Sequence, residues 1–282
     1  DPRKCPYLSQ EVANSWIRGQ ENGIDPNGSI MHRQLTPEQY QKVLNENKLL
    51  IDITRPLINT FKNMALLTSG YIVYLCNVDG VFLLQAGEMV RIKHEGVIWN
   101  ENTIGTCAHS LCLQLKEPVH LLGPEHYSLH LINIMASAAP ITNEAGEIIA
   151  TLILGQPLKH NPWGDYFVNM RSHTLGLITA LASAVEAQIK QHKTNEKLRE
   201  SNINLQIVNH DLQTARVTLE TTLSLIDEGI ITIDIKGNII NLNQEGARIL
   251  GLQSLGKAQN ITKYLPKQSR VMSLVRKGFN WD

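Results

Sequence analysis

Apolar residues recur at helical spacing through the first sixty positions. Val12, Ala13, Trp16 and Ile17 share one face of a helix expected over Ser9 to Arg18. Asn22-Gly23 and Asp25-Pro26-Asn27-Gly28 then break the chain. Thr36-Pro37-Glu38 opens a second helix: the Thr36 side chain can cap, Pro37 suits the first helical position, and Glu38 favours the positive end. Tyr40, Val43, Leu44 and the run from Leu50 to Leu67 continue the amphipathic pattern, which Pro56 is expected to kink or divide.

The pattern turns strand-like at Tyr71. Tyr71 to Cys76 and Val81 to Leu84 flank the turn Asn77-Val78-Asp79-Gly80, a hairpin signal. A second hairpin joins Ser137–Thr142 to Ile148–Leu154 through Asn143-Glu144-Ala145-Gly146-Glu147. Between the hairpins, Thr103 to Leu115 and Pro124 to Met135 read as helices. Two hairpins around short helices predict an α+β domain with a central antiparallel sheet.

Residues 177–228 contain neither Gly nor Pro. Leu198, Leu205, Leu212, Leu219 and Ile226 recur every seven residues, with Ala187, Thr194, Ser201, Val208, Ala215 and Thr222 as a companion series. A sustained period of seven predicts a coiled coil, and the first series is the expected dimer interface. A helix packed on its own domain is the competing reading. At 1.5 Å per residue, however, such a helix would extend roughly 78 Å, longer than one small domain can cover. Gly229 to Asn243 then reads as strand, glycine turn and strand, followed by a short helix with Ala247, Ile249 and Leu250. The run to Asp282 is expected to give only part of a second domain. Four segments follow: 1–66 helical, 67–160 a sensory domain, 165–226 a long dimerisation and signalling helix, and 227–282 a partial domain.

Composition narrows the classes. The 282 residues balance 26 Lys+Arg against 26 Asp+Glu, a net charge of zero (26 − 26), which argues against broad binding to nucleic acid or an anionic membrane. With 43% apolar residues and no membrane-length apolar run, a globular cytoplasmic protein is expected. Cys5, Cys76, Cys107 and Cys112 are expected to be free thiols, since Cys107-x4-Cys112 lacks zinc-knuckle spacing and has no second pair. No metal or other cofactor is expected. His120, His126 and His130 form the best candidate metal group but lack an evident third-ligand geometry or acidic support. The stretch Gly251 to Ala258 almost spells a P-loop, yet Ala258 has no hydroxyl for magnesium and a helix precedes it. Asp227, Glu228 and Asp234 sit at turns and caps rather than beside a second catalytic group.

A run of motifs carries a resemblance: Asp79-Gly80, Trp99-x5-Gly105-Thr106-Cys107-Ala108, Pro118-Val119, Glu125-His126-Tyr127, Ser137-Ala138-Ala139-Pro140-Ile141 and Gly146. Through them residues 71–158 resemble a GAF domain of bacterial sigma-54-dependent activators. Asn14-Ser15-Trp16-x-Arg18 and Gly23-Ile24-Asp25-Pro26 are similar to the lead-in of the group that includes acetoin-catabolism and dihydroxyacetone-kinase-operon regulators. Residues 220–282 resemble the first half of a PAS domain through Asp227-Glu228-Gly229-Ile230, Asp234-x2-Gly237-x-Ile239 and Asn243-x3-Ala247. Family members often carry Gly-Thr-Asn at Gly105-Thr106-Cys107 and a Cys at Ala136.

The resemblance implies a homodimeric, non-enzymatic sensory region that receives a small-molecule effector or a metabolic-enzyme partner. Sigma-54 RNA polymerase and DNA would be engaged only through domains missing from this chain, and no membrane is involved. The expected ligand site is a cavity between the sheet and its helices, formed by Trp99, Thr103, Thr106, Cys107, Ser110, Met135 and Ser137. The competing reading is that these residues only fill the core. An alternative function is the input region of a histidine kinase, with His210 in Val208-Asn209-His210-Asp211 as phosphoacceptor.

Overall fold

The computed structural model describes residues 1–63, 70–87, 94, 96–158, 165–252, 259–266, 269–270, 272–273 and 277, without the side chains of 61–63 and 165–170. The end of the first helical run, Met64 to Leu67, and the P-loop-like stretch beyond Leu252 lie outside the described residues. The chain divides into two units, residues 1–195 and 196–282.

In the first unit, helix α1 (Gln10–Glu21) starts where Ser9 Oγ accepts from the Val12 N–H. Helix α2 (Pro37–Glu46) carries a full capping box, Thr36 bonding the Gln39 N–H and Gln39 returning the bond. The helical run breaks at Asn47, whose Nδ2 donates to the Val43 carbonyl, and α3 (Lys48–Asn63) then runs through Pro56. The expected division at Pro56 is therefore corrected. Pro56 and Asp52 are both exposed, so water can satisfy the carbonyl that the missing N–H frees.

Strands β1 (Ile72–Asn77) and β2 (Phe82–Gly87) form the first hairpin. The expected helix from Thr103 is split into α4 (Glu101–Ile104) and α5 (Ala108–Leu115). Gly105 divides them at φ +72°, pressed so closely on the Tyr127 ring that a Cβ would lie 2.4 Å from it. The expected helix from Pro124 to Met135 is replaced by two 3-10 turns, Gly123–Glu125 and Leu129–Leu131. A three-residue strand, β3 (Val119–Leu121), precedes them. Strands β4 (Ile134–Thr142) and β5 (Ile148–Pro157) make the second hairpin. The sheet is antiparallel throughout, in the order β2-β1-β5-β4-β3. The expected α+β class with a central antiparallel sheet is the observed one.

Each face of this sheet is covered. Val73, Leu75, Ile141, Leu152 and Leu154 pack with Leu50, Ile51 and Ile58 of α3 and with Ile178, Leu181 and Val185 of helix α6 (Asp165–Ser224). On the other face, Tyr74, Cys76, Ala136, Ala138 and Ile153 meet α5 through Leu111 and Cys112, and α1 through Val12. The alternation of side chains along each strand produces this division. Glu186 of α6 clips the tip of β4, accepting from the Thr142 N–H and Oγ at 2.6 Å each.

In the second unit, α6 ends at Ser224, so Ile226 lies beyond the helix and does not extend the seven-residue series. Leu198, Leu205, Leu212 and Leu219 are each more than half exposed. Strands β6 (Ile231–Ile233) and β7 (Ile239–Leu242) pair antiparallel, and helix α7 (Gln244–Ile249) follows. Asn243 joins these pieces: its Oδ1 accepts from the Ile230 and Gly246 N–H groups, and its Nδ2 donates to the Leu223 and Glu228 carbonyls. One buried amide thereby ties the end of the long helix to the strands after it.

Candidate functional site

On the α5 face of the sheet the packing leaves a cavity of about 80 Å³. Its floor comes from the sheet, through Tyr74, Ala136 and Ile153, and its walls include Phe82, Trp99, Cys107, Leu131 and the histidines 109 and 126. A water needs on the order of 10–15 Å³ of such space, so the cavity admits a molecule of roughly five to eight non-hydrogen atoms. The lining is mostly apolar with a few polar groups, the usual make-up of a small-molecule site.

Trp99 is fixed from three directions. Its N–H donates to the Gly80 carbonyl at 2.9 Å, its Nε1 donates to the Ile30 carbonyl at 2.8 Å, and its ring meets Phe82 edge-on at 5.1 Å. Gly80 permits the approach: at φ +86°, a Cβ there would fall 2.1 Å from the Trp99 carbonyl oxygen. Cys107 caps α5, and its Sγ lies 3.2 Å from Ser110 Oγ. Burial pushes the Cys107 thiol up, with Ser110 opposing the shift, so it stays a neutral, weakly polar wall group.

Both cavity histidines are uncharged. Burial lowers His109 to about 4 against an opposing influence of the Val78 backbone, while its Nδ1 bonds Thr151 Oγ at 2.7 Å. Burial likewise lowers His126 to about 4, although its Nδ1 sits 3.2 Å from the Gly123 carbonyl. Because a carbonyl only accepts, that contact makes Nδ1 the donor of the pair.

The structure brings together only part of the expected site. Trp99 and Cys107 line the cavity. Thr103 is buried as the cap partner of α4, donating to Ile98 and accepting from the Asn100 N–H. Thr106 Oγ donates to Ser15 Oγ at 2.7 Å and faces α1. Ser110 touches the site only through Cys107. Met135 and Ser137 point to the opposite face: Ser137 Oγ links His120 Nδ1 at 2.8 Å to Thr174 Oγ of α6 at 2.9 Å. Because β4 begins at Ile134, its even positions face α5 and its odd positions face α6. Tyr74, Phe82, His109 and His126 were missed, though the same alternation through Ile72, Tyr74 and Cys76 could have supplied Tyr74.

The other candidate groups have structural partners. His120 is lowered to about 4, first by burial and then by Arg171 and His126. His130 Nε2 lies 3.2 Å from the Asn27 carbonyl. Among the described residues no group of three His, Cys, Asp or Glu side chains could hold a metal. His210 is exposed on α6, and its carbonyl accepts from Thr214 Oγ. Among the described residues no helix is long and apolar enough to cross a membrane.

The N-terminal segment is strapped over this side of the unit. Arg18 grips Glu101 with Nε and Nη2, the shortest contact 2.7 Å, and reaches Gln114. Ser15 donates to the same carboxylate. Trp16 Nε1 donates to the Glu125 carbonyl at 2.9 Å, and Tyr127 donates its hydroxyl to Ile24.

No family model matches the chain. It is 31% identical over 206 residues to the acetoin dehydrogenase operon transcriptional activator AcoR of Bacillus subtilis, covering 67% of this chain and 31% of that protein. It is 27% identical over 161 residues to the PTS-dependent dihydroxyacetone kinase operon regulatory protein of Escherichia coli, covering 57% of this chain and 22% of that protein. These operon regulators are homologues of the chain. The chain spans about a third or less of their length. Among solved structures, the E. coli DhaR(N)–DhaL complex shares the fold at a TM-score of 0.56 and 20% identity, over 96% of this chain and 87% of that one.

Proposed function

We propose that the chain is the cytoplasmic sensory region of a sigma-54-dependent activator of a catabolic operon, reading a small metabolite in the cavity beside Trp99 and Cys107. One observation carries the reading: the cavity lies on one face of a five-stranded sheet whose other face packs α6. A molecule that fits only one arrangement of the sheet biases the helix behind it. A tenfold response needs a difference of only ~1.4 kcal/mol between the two arrangements. In this reading residues 1–66 form the strap, 67–160 the GAF sensor, 165–226 the dimeric signalling segment and 227–282 the start of a PAS domain. Thr103, Thr106 and Ser110 act behind the wall by holding Trp99 and Cys107 in place. The dimer seam runs through Leu198, Leu205, Leu212 and Leu219, and polymerase and DNA contacts belong to other parts of the regulator.

Acetoin and dihydroxyacetone match the cavity in size and are the natural probes, given the operons that the homologues serve. Thermal-shift titration should show stabilisation by one of them, and Ala136→Leu, which fills the cavity floor, should abolish it. Equal stabilisation of the filled variant would sink the metabolite reading. A second reading is favoured by the DhaR(N)–DhaL complex: an enzyme subunit of the regulated pathway docks on the sensor. A silent metabolite screen, together with binding of the operon's own enzyme in a defined two-component assay, would select it.

A further inference from the structure

Two polar atoms in the lining of the apolar cavity are left unused by its own walls. Among the described residues the lining includes no Lys, Arg, Asp or Glu, and most of its polar side chains are already committed. Trp99 Nε1 is spent on the Ile30 carbonyl, Cys107 Sγ meets Ser110, and His109 bonds Thr151 while its Nε2 is sealed in the packing. Gln156 pairs with Met135 across the sheet, so its side chain turns to the α6 face. His126 and Tyr74 differ. Both are more than nine-tenths buried, yet neither the Nε2 of His126 nor the hydroxyl of Tyr74 is sealed, and neither has a hydrogen-bond partner among the described residues. Their chemistry is complementary. The uncharged ring of His126 carries one N–H, on the Nδ1 that faces Gly123, so Nε2 keeps its lone pair and accepts. Tyr74 is held edge-on by Phe82 and His94, at 4.9 and 5.5 Å between ring centres. Burial, with Cys76 adding to it, pushes the Tyr74 hydroxyl up, which keeps it a neutral donor.

We propose that His126 and Tyr74 are the specificity-determining pair of this cavity, selecting an uncharged ligand whose hydroxyl donates to His126 Nε2 and whose second oxygen accepts from Tyr74. This rests on the metabolite reading of the cavity and adds the functional groups that the site demands. A buried acceptor left unpaired costs free energy, so a ligand without a hydroxyl forfeits affinity that an equally large hydroxylated one keeps. A carboxylate or phosphate would be stripped of water with no cation in the lining to receive it.

Isothermal titration of the full chain with three molecules of matching size tests the pair. Acetoin has both groups, methyl isopropyl ketone replaces its hydroxyl by a methyl, and lactate replaces its terminal methyl by an anionic oxygen. Acetoin should bind, the ketone at least about tenfold more weakly, and lactate not detectably. His126→Asn keeps a donor for the Gly123 carbonyl and removes Nε2, so acetoin should fall to the level of the ketone while the ketone is unchanged. Tyr74→Phe keeps the ring and should weaken acetoin and the ketone alike, about fivefold. With binding abolished by Ala136→Leu, four results would overturn the pair and leave the cavity reading standing: a ketone as tight as acetoin, binding of lactate, a preference for acetoin that survives in His126→Asn, or unchanged affinity in Tyr74→Phe. Binding that survives Ala136→Leu, or silence of every probe, would overturn the metabolite reading and this inference with it.

Discussion

The two halves of α6 make opposite use of the same side chains. Between Thr174 and Ile189 one apolar stripe, Ile178, Leu181, Ala182, Val185 and Ile189, is buried against the sheet, while from Leu198 to Leu219 its leucines are more than half exposed. Both halves are helical, so helix formation alone does not distinguish them; the spacing of the apolar residues does. The near half repeats at 3 and 4 residues to match one sheet face, with Ile178, Leu181, Ala182, Val185 and Ile189. The far half repeats at 7 and leaves a narrow seam, the pattern suited to a like helix. A helix of this length draws stability from packing where it lies on the sheet, and the proposed dimer would extend that packing to the far half.

Acid should sharpen the contrast most. His109, His120 and His126, all in the first unit, have folded values near 4, below the ordinary value of 6.5. Between those values the unfolded chain binds more protons, so the stability is present above about pH 6.5 and is lost as pH falls toward 4. Full titration is worth roughly 3 kcal/mol per histidine as an upper figure. Urea unfolding at stepped pH should show the midpoint falling across this window, and a flat profile would contradict the buried neutral rings. Next, Ile178→Ala should cost the first unit about 2–5 kcal/mol in the same assay. Leu205→Ala should cost that unit nothing measurable. Third, Leu205→Asp with Leu212→Asp should raise the dimer dissociation constant at least about 100-fold, as two seam leucines become charged. Sedimentation velocity reads this directly; a wild-type chain that is monomeric at every concentration breaks the comparison at its far end.

Much of the fold was legible because local chemistry and tertiary packing agree there. Ser9 and Thr36 cap where their side chains predict, and both hairpins turn at their glycine- and asparagine-bearing loops. The misreadings share a cause. Pro124 to Met135 has apolar residues at helical spacing, but Gly123 packs within 1.9 Å, measured from a would-be Cβ, of the Ile132 carbonyl, which a regular helix does not allow. Once β4 starts at Ile134 instead, Met135 and Ser137 turn away from the cavity. Asn47 broke the helix through a side chain that competes for the last carbonyls, whereas an exposed proline was absorbed. Half of the site was hidden for a related reason: Trp99 and Cys107 sit in loops whose motif could be read, but the opposing wall depends on strand parity.

The anchoring of Trp99 has one more consequence. Its indole rests against Phe82, one side on an apolar void and its nitrogen on the carbonyl of Ile30, a residue that also lines a more polar hollow. Indole emission responds to both polarity and hydrogen bonding, so the molecule carries an intrinsic fluorescent gauge at the partition between its two hollows. Filling either one should change the colour of that light without any added dye.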